Sequence, residues 1–165
     1  MTKAEKLELI EKFEGAYALV EAQIKGLSRA ELRSVPAIEA AWSINDFLVH
    51  FLDADVAGFF RIRMAVAQPG FAIPLWDEEA CQARLHYDEE DGPECLREAE
   101  ALRRRLASLL RRIVDEDWSA LFVMHPVRGR MDIAALLAQY REHIAFHVPL
   151  IKRNLDTMKV KDAKR

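Results

Sequence analysis

The chain has 165 residues with a net charge of −3, and 51% of its residues are hydrophobic and 31% charged. That length suits one domain able to bury roughly 70% of its unfolded surface, so folding requires neither a disulfide framework nor a structural metal. The composition excludes disorder, and the slight negative charge excludes a global basic field for nucleic acid or anionic lipid.

Four long segments carry the helical period. The first covers residues 3–25, where Leu7, Ile10, Phe13, Tyr17, Val20 and Ile24 recur at spacings of three and four. Gly26 stops it, and residues 28–34 add a short helical turn before Pro36. The second begins after Ser43, a favoured N-cap, with Asp46 in the first turn and Phe47, Phe51, Ala54, Gly58, Ile62 and Ala65 on its apolar stripe. It ends before Pro69-Gly70.

Residues 69–92 form a long connection rich in turn formers, with a short helix expected over 76–85. A connection of this length in a compact domain suggests a task such as covering a site. The third long helix starts near Pro93 and turns Leu96, Ala99, Leu102, Leu106, Leu109 and Ile113 inward. On it, Arg103-Arg104-Arg105 with Arg111 and Arg112 read as a solvated basic face, the alternative being a site for a phosphate- or carboxylate-bearing ligand. The fourth helix is capped by Asp132 and runs to about Met158, interrupted by Pro149, which removes a hydrogen bond to the Ala145 carbonyl. No segment reads as a strand. The pattern predicts an all-α fold, a four-helix bundle with a long crossover between its second and third helices, in a single domain spanning 1–165.

No apolar run approaches the ~20 residues that span a bilayer, and the N-terminus has no signal-peptide core, so the expected location is the cytoplasm. Cys81 and Cys95 form no Cys-x-x-Cys pair and read as apolar fillers.

Histidines carry the chemistry. His143 and His147 stand at i and i+4 on one helical face, adjoining the buried stripe through Tyr140, Ile144 and Ile151. His50 follows Phe47 by three and precedes Phe51, so it also faces inward. Burying three imidazoles without partners is costly, and a shared ion satisfies one nitrogen of each. Imidazole donors suit zinc, nickel or ferrous iron, and three protein ligands leave a position open for water or substrate. The competing reading is a plain bundle with hydrogen-bonded core histidines. Asp46, one turn before His50, is the first choice for a carboxylate that orients an imidazole, unless it only caps the helix; Asp53, Tyr140 and Glu142 are nearby in sequence. His125, before Pro126, either structures its loop or reaches the mouth of the bundle as an acid or base. His86 reads as a surface residue.

Trp42-Ser43-Ile44-Asn45-Asp46 followed by His50 resembles the W-S-x-x-E-x-x-x-H signature of the DinB/YfiT superfamily, with Asp46 in place of the usual Glu. His125-Pro126-x-x-Gly129 and His143-x-x-x-His147 resemble its later signatures, in the same order. The resemblance implies a four-helix bundle, often a homodimer, holding one divalent metal on His50, His143 and His147. It also implies a small-molecule substrate and a low-molecular-weight thiol, because characterised members include S-transferases that use bacillithiol, mycothiol or glutathione, and a thiol-dependent maleylpyruvate isomerase. A hydrolase in which the metal activates water is a variant of the same chemistry. A non-catalytic, stress-induced metal-binding or interaction module is the alternative.

Overall fold

The computed structural model describes residues 1–162, and side chains through residue 158. The first segment forms two helices, α1 (Lys3–Glu14) and α2 (Ala18–Ile24), followed by the short α3 (Arg29–Leu32). The expected continuous helix breaks at Gly15. In the opened turn the Phe13 carbonyl accepts a hydrogen bond from Arg103 Nη1 at 3.1 Å.

Helix α4 (Ile44–Ala67) begins in a complete capping box. Ser43 Oγ accepts from the Asp46 amide at 3.1 Å, and Asp46 Oδ2 accepts from the Ser43 amide at 3.0 Å. The crossover contains β1 (Phe71–Ala72) and α5 (Glu78–Arg84), the latter capped by Asp77. Helix α6 (Gly92–Arg112) is capped by Asp91, and α7 (Ile133–Asp162) starts where Asp132 Oδ1 accepts from the Ala135 amide at 2.9 Å and continues through Pro149. The four-helix bundle expected from the periodicity is present: α4 packs against α6 and α7, and α1 against the same two helices.

A small sheet stands where only loops were expected. A 3₁₀ turn (Trp118–Ala120) leads into β2 (Phe122–His125), which pairs antiparallel with β3 (Gly129–Asp132) and parallel with β1. These strands are two to four residues long, too short to display alternation, and the β1–β2 pairing joins distant parts of the chain. Val123 and Met131 turn inward from the sheet and join Ile10, Ile62, Leu106 and Leu136 in one core cluster. A second cluster, built on Tyr17, Phe47, Phe51, Leu96, Ile144 and Ile151, fills the other half of the bundle.

Arg103 corrects the reading of the basic face. It is 0% exposed, while Arg104, Arg105, Arg111 and Arg112 do lie at the surface or near it. Its Nε donates to Asp55 Oδ2 at 2.5 Å and its Nη2 to Asp55 Oδ1 at 2.8 Å. The Tyr17 hydroxyl donates to Asp55 Oδ2 at 2.9 Å, and Nη2 of Arg103 also reaches the Tyr140 carbonyl at 3.2 Å. The guanidinium lies over the rings of Phe13 and Tyr17, at 4.7 and 4.3 Å from their centroids. The inward face of α6 therefore runs through Arg103, Leu106, Ala107 and Leu110, leaving Leu102 and Leu109 half-buried.

Gly58 permits the close approach of α4 and α7. A Cβ there would lie 2.7 Å from Cζ of Tyr140, whose hydroxyl accepts a hydrogen bond from Arg61 Nη1 at 3.1 Å. Gly58→Ala must displace that ring, and the expected cost is about 1–3 kcal/mol of stability, read from urea unfolding. A neutral result would show that the ring has room to move.

Candidate metal centre

Two elements deliver the histidines. The capping box at Ser43 sets the start of α4, so that His50 enters the bundle in its second turn. From α7, His143 and His147 project one turn apart. The three rings meet: His50 Nε2 lies 2.8 Å from His143 Nε2, which lies 3.1 Å from His147 Nε2. All three donor atoms fall within 4.8 Å of one another.

The convergence is difficult to satisfy with protons alone. A neutral imidazole has one N–H and one lone pair, so three Nε2 atoms at a common point cannot all find a donor among themselves. The three Nδ1 atoms are also buried and have no hydrogen-bond partner among the described residues. Three nitrogens bound tetrahedrally to zinc at their usual lengths stand roughly 3.3 Å apart, close to the two spacings from His143 Nε2. The donor set, its neutrality and its burial thus fit a divalent transition metal.

Burial keeps the imidazoles uncharged. Desolvation lowers the pKa of His50 to about 3, with the nearby His147 adding to it. Desolvation, and then His50, His147 and Arg103, take His143 to about 2. Desolvation takes His147 to about 4. Each folded value lies below the unfolded value of about 6.5, so the unfolded chain binds more protons as pH falls. Chelator-treated protein should therefore keep its full stability above pH 6.5 and lose it toward pH 4, by up to about 1.4 kcal/mol per pH unit for each histidine. Urea midpoints between pH 7 and 5 test this, and His143→Ala should show a shallower fall. A midpoint constant over that range contradicts the burial of neutral imidazoles.

Aromatic rings enclose the centre. Trp76 stacks on His50 at 5.4 Å and 15°, and Trp42 meets it edge-on at 5.2 Å. The crossover thus covers the site, as its length suggested. Asn45 pins it there: Nδ2 donates to the Tyr87 carbonyl at 2.8 Å, and Oδ1 accepts from the Gly92 amide at 3.0 Å.

The proposed orienting groups are engaged elsewhere. Asp46 caps α4 and makes no hydrogen bond to His50; its Oδ1 is buried without a partner among the described residues. Asp53 accepts from the Tyr87 hydroxyl at 2.5 Å, Tyr140 bonds Arg61, and Glu142 lies near Arg141 on the surface. His125 does structure its turn, because its Nδ1 accepts from the amides of Val127 and Arg128 at 3.1 and 3.2 Å. That places the proton of the neutral ring on Nε2. His125 also lines a cavity of about 490 Å³ that includes His143, so the turn it structures stands at the mouth of that cavity. His86 is exposed, and Cys81 and Cys95 pack with Val49 and Tyr87 as apolar residues.

Sequence reading assigned no role to Glu78. Its Oε2 lies 3.8 Å from His50 Nε2, and its side chain is half-exposed. Burial, and then Glu79 and Asp77, raise its pKa. Glu78 lines the 490 Å³ cavity and also a second one of about 610 Å³, which includes His147, Trp42 and Arg153. The centre thus stands between two clefts. Because Glu78 sits in the crossover, no helical phase links it to the histidines.

A buried three-histidine centre inside a helical bundle defines the class, and comparison supplies the family. The model of the DinB superfamily matches residues 12–151, and the chain belongs to that superfamily. A protein of Oceanobacillus iheyensis that carries the provisional name metal-dependent hydrolase is 26% identical over 116 residues, which is 69% of this chain. The match spans 65% of that relative's length, just under two thirds. YfiT from Bacillus subtilis, described as a probable metal-dependent hydrolase with an unusual four-helix bundle topology, superposes with a TM-score of 0.83. That likeness covers 96% of this chain and 90% of YfiT at 20% identity, and establishes a shared fold. Among the described residues, no helix is long and apolar enough to cross a membrane.

Proposed function

We propose that the chain is a metal-dependent enzyme acting on small molecules, with His50, His143 and His147 holding one divalent ion of zinc, nickel or iron. The observation that carries this reading is the convergence of three neutral Nε2 atoms, from the buried His50 and His147 and the half-buried His143. Such an ion supplies Lewis-acid polarisation and lowers the pKa of a thiol or water placed beside it.

The nucleophile we favour is a low-molecular-weight thiol, and the two clefts flanking the centre support it, since a transfer reaction must seat two molecules. Glu78 lines both clefts and accepts the thiol proton. A carbon–sulfur bond then forms as the bond from carbon to the leaving group breaks. His125 hydrogen-bonds that leaving group through its Nε2–H from the cavity wall and keeps its proton, the group departing as its anion. Trp42 and Trp76 exclude water from the far side of His50. The cytoplasm, where small thiols stay reduced, is the compartment that suits this chemistry. Hydrolysis, with water as nucleophile, is the second reading, and the name of the Oceanobacillus relative supports it.

The test uses zinc-loaded and nickel-loaded protein without a histidine tag. Conjugation of glutathione or bacillithiol to 1-chloro-2,4-dinitrobenzene is measured beside hydrolysis of p-nitrophenyl acetate. Metal-dependent conjugation that disappears in His143→Ala is the expected result. Hydrolysis without thiol dependence selects water instead. Tight metal binding with neither reaction supports the non-catalytic module.

A further inference from the structure

Arg61 is 7% exposed, on α4 three turns beyond His50 and so on the same face. It makes no ion pair among the described residues. Its Nη1 donates to the Tyr140 hydroxyl at 3.1 Å and its Nη2 to the Pro74 carbonyl at 3.4 Å. A guanidinium has five donors, so three remain without an acceptor among the described residues. Buried cations are ordinarily paired, as Arg103 is with Asp55 in the next layer of the same bundle. Arg61 instead lines the 490 Å³ cavity that includes His143 and His125, with Arg128 at its exposed edge.

We infer that this cavity binds the carboxylate of a small organic acid, held by Arg61 with its reactive portion directed toward His143. The inference rests on the proposed enzymatic reading and names the substrate class. Three observations favour a carboxylate. The planar fork of an arginine matches it in two-point geometry. Leu75, Trp76, Val127 and Phe146 supply walls for an organic body. Glu78 and Glu142 also line the cavity and balance the charges of Arg61 and Arg128, so a dianion such as phosphate leaves a larger excess of negative charge there than a monoanion does. The neutral His125 ring supplies an Nε2–H for the same ligand. Tyr140 and the Gly58 contact hold the guanidinium in place, which makes them positioning residues.

The test measures binding by tryptophan fluorescence and by ligand NMR, on metal-loaded and chelator-treated full-length protein. The probes are phenylacetate, phenylacetamide, 3-mercaptopropionate and inorganic phosphate. Phenylacetate should bind at least about tenfold more tightly than phenylacetamide, with or without metal. Arg61→Gln should abolish that preference, Arg61→Lys should retain part of it, and Arg128→Gln should weaken it less. The acid–amide contrast in the unsubstituted protein stands even if Arg61→Gln folds poorly. Binding of phenylacetate shows that the subsite takes a carboxylate free of thiol, and Arg61-dependent binding of 3-mercaptopropionate alone assigns the carboxylate to the thiol substrate. Equal binding of acid and amide, no saturable binding of either acid, a preference unchanged in Arg61→Gln, or tighter binding of phosphate overturns the inference. Zinc content separates this result from the metal reading. Arg61→Gln should keep its zinc, and the acid–amide contrast in the chelator-treated parent protein stands with no zinc bound at all.

Discussion

Asp55→Ala should destabilise the protein by about 3–5 kcal/mol, because it leaves the Arg103 charge buried and unpaired. Asp55 is 3% exposed and Arg103 0%. The substitution removes both Asp55–guanidinium bonds and the nearer acceptor of the Tyr17 hydroxyl at once, leaving that hydroxyl the Phe51 carbonyl at 3.4 Å. The remaining acceptors, the carbonyls of Phe13 and Tyr140, carry no compensating charge. The double variant Asp55→Ala/Arg103→Met should recover part of the loss, since an apolar side chain needs no partner there. Urea unfolding of the two variants is the measurement. A single-variant cost below about 1 kcal/mol, in the range of exposed pairs, would contradict the buried network.

The second large effect concerns the metal. His143→Ala should weaken metal affinity by more than about 100-fold, since changing groups that merely support a ligand already costs 10–100-fold. His143 is the choice because its Nε2 is close to both partners, at 2.8 and 3.1 Å. His86→Ala, at an exposed position, is the control and should bind metal as the parent does. Competition against a chromophoric chelator gives both constants. Equal affinity in the two variants would place the metal elsewhere.

Much of this was legible in the sequence because helices are periodic. The phase of Phe47 and Phe51 placed His50 inside, and the phase of Tyr140, Ile144 and Ile151 did the same for His143 and His147. Arg103 is hard to read from sequence because charge ordinarily marks exposure, and its partner Asp55 lies on another helix, 48 residues away. With Arg103 counted as polar, the inward face of α6 was displaced toward Leu102 and Leu109. The strands escaped because they are short and partly paired across the chain. Glu78 and Trp76 lie in the crossover, where no period relates a residue to its neighbours in space. Arg61 did carry a signal, three turns along the same face as His50, but a single arginine on an apolar stripe gains meaning only once its missing counter-charge is seen.

The proposed chemistry requires the three imidazoles to share one ion. X-ray absorption spectroscopy of the metal-loaded protein, purified without a histidine tag, tests that directly. Zinc-loaded protein should show three imidazole nitrogens at about 2.0–2.1 Å, falling to two in His143→Ala. A sulfur-rich or all-oxygen shell, or a spectrum unchanged by that substitution, would contradict it.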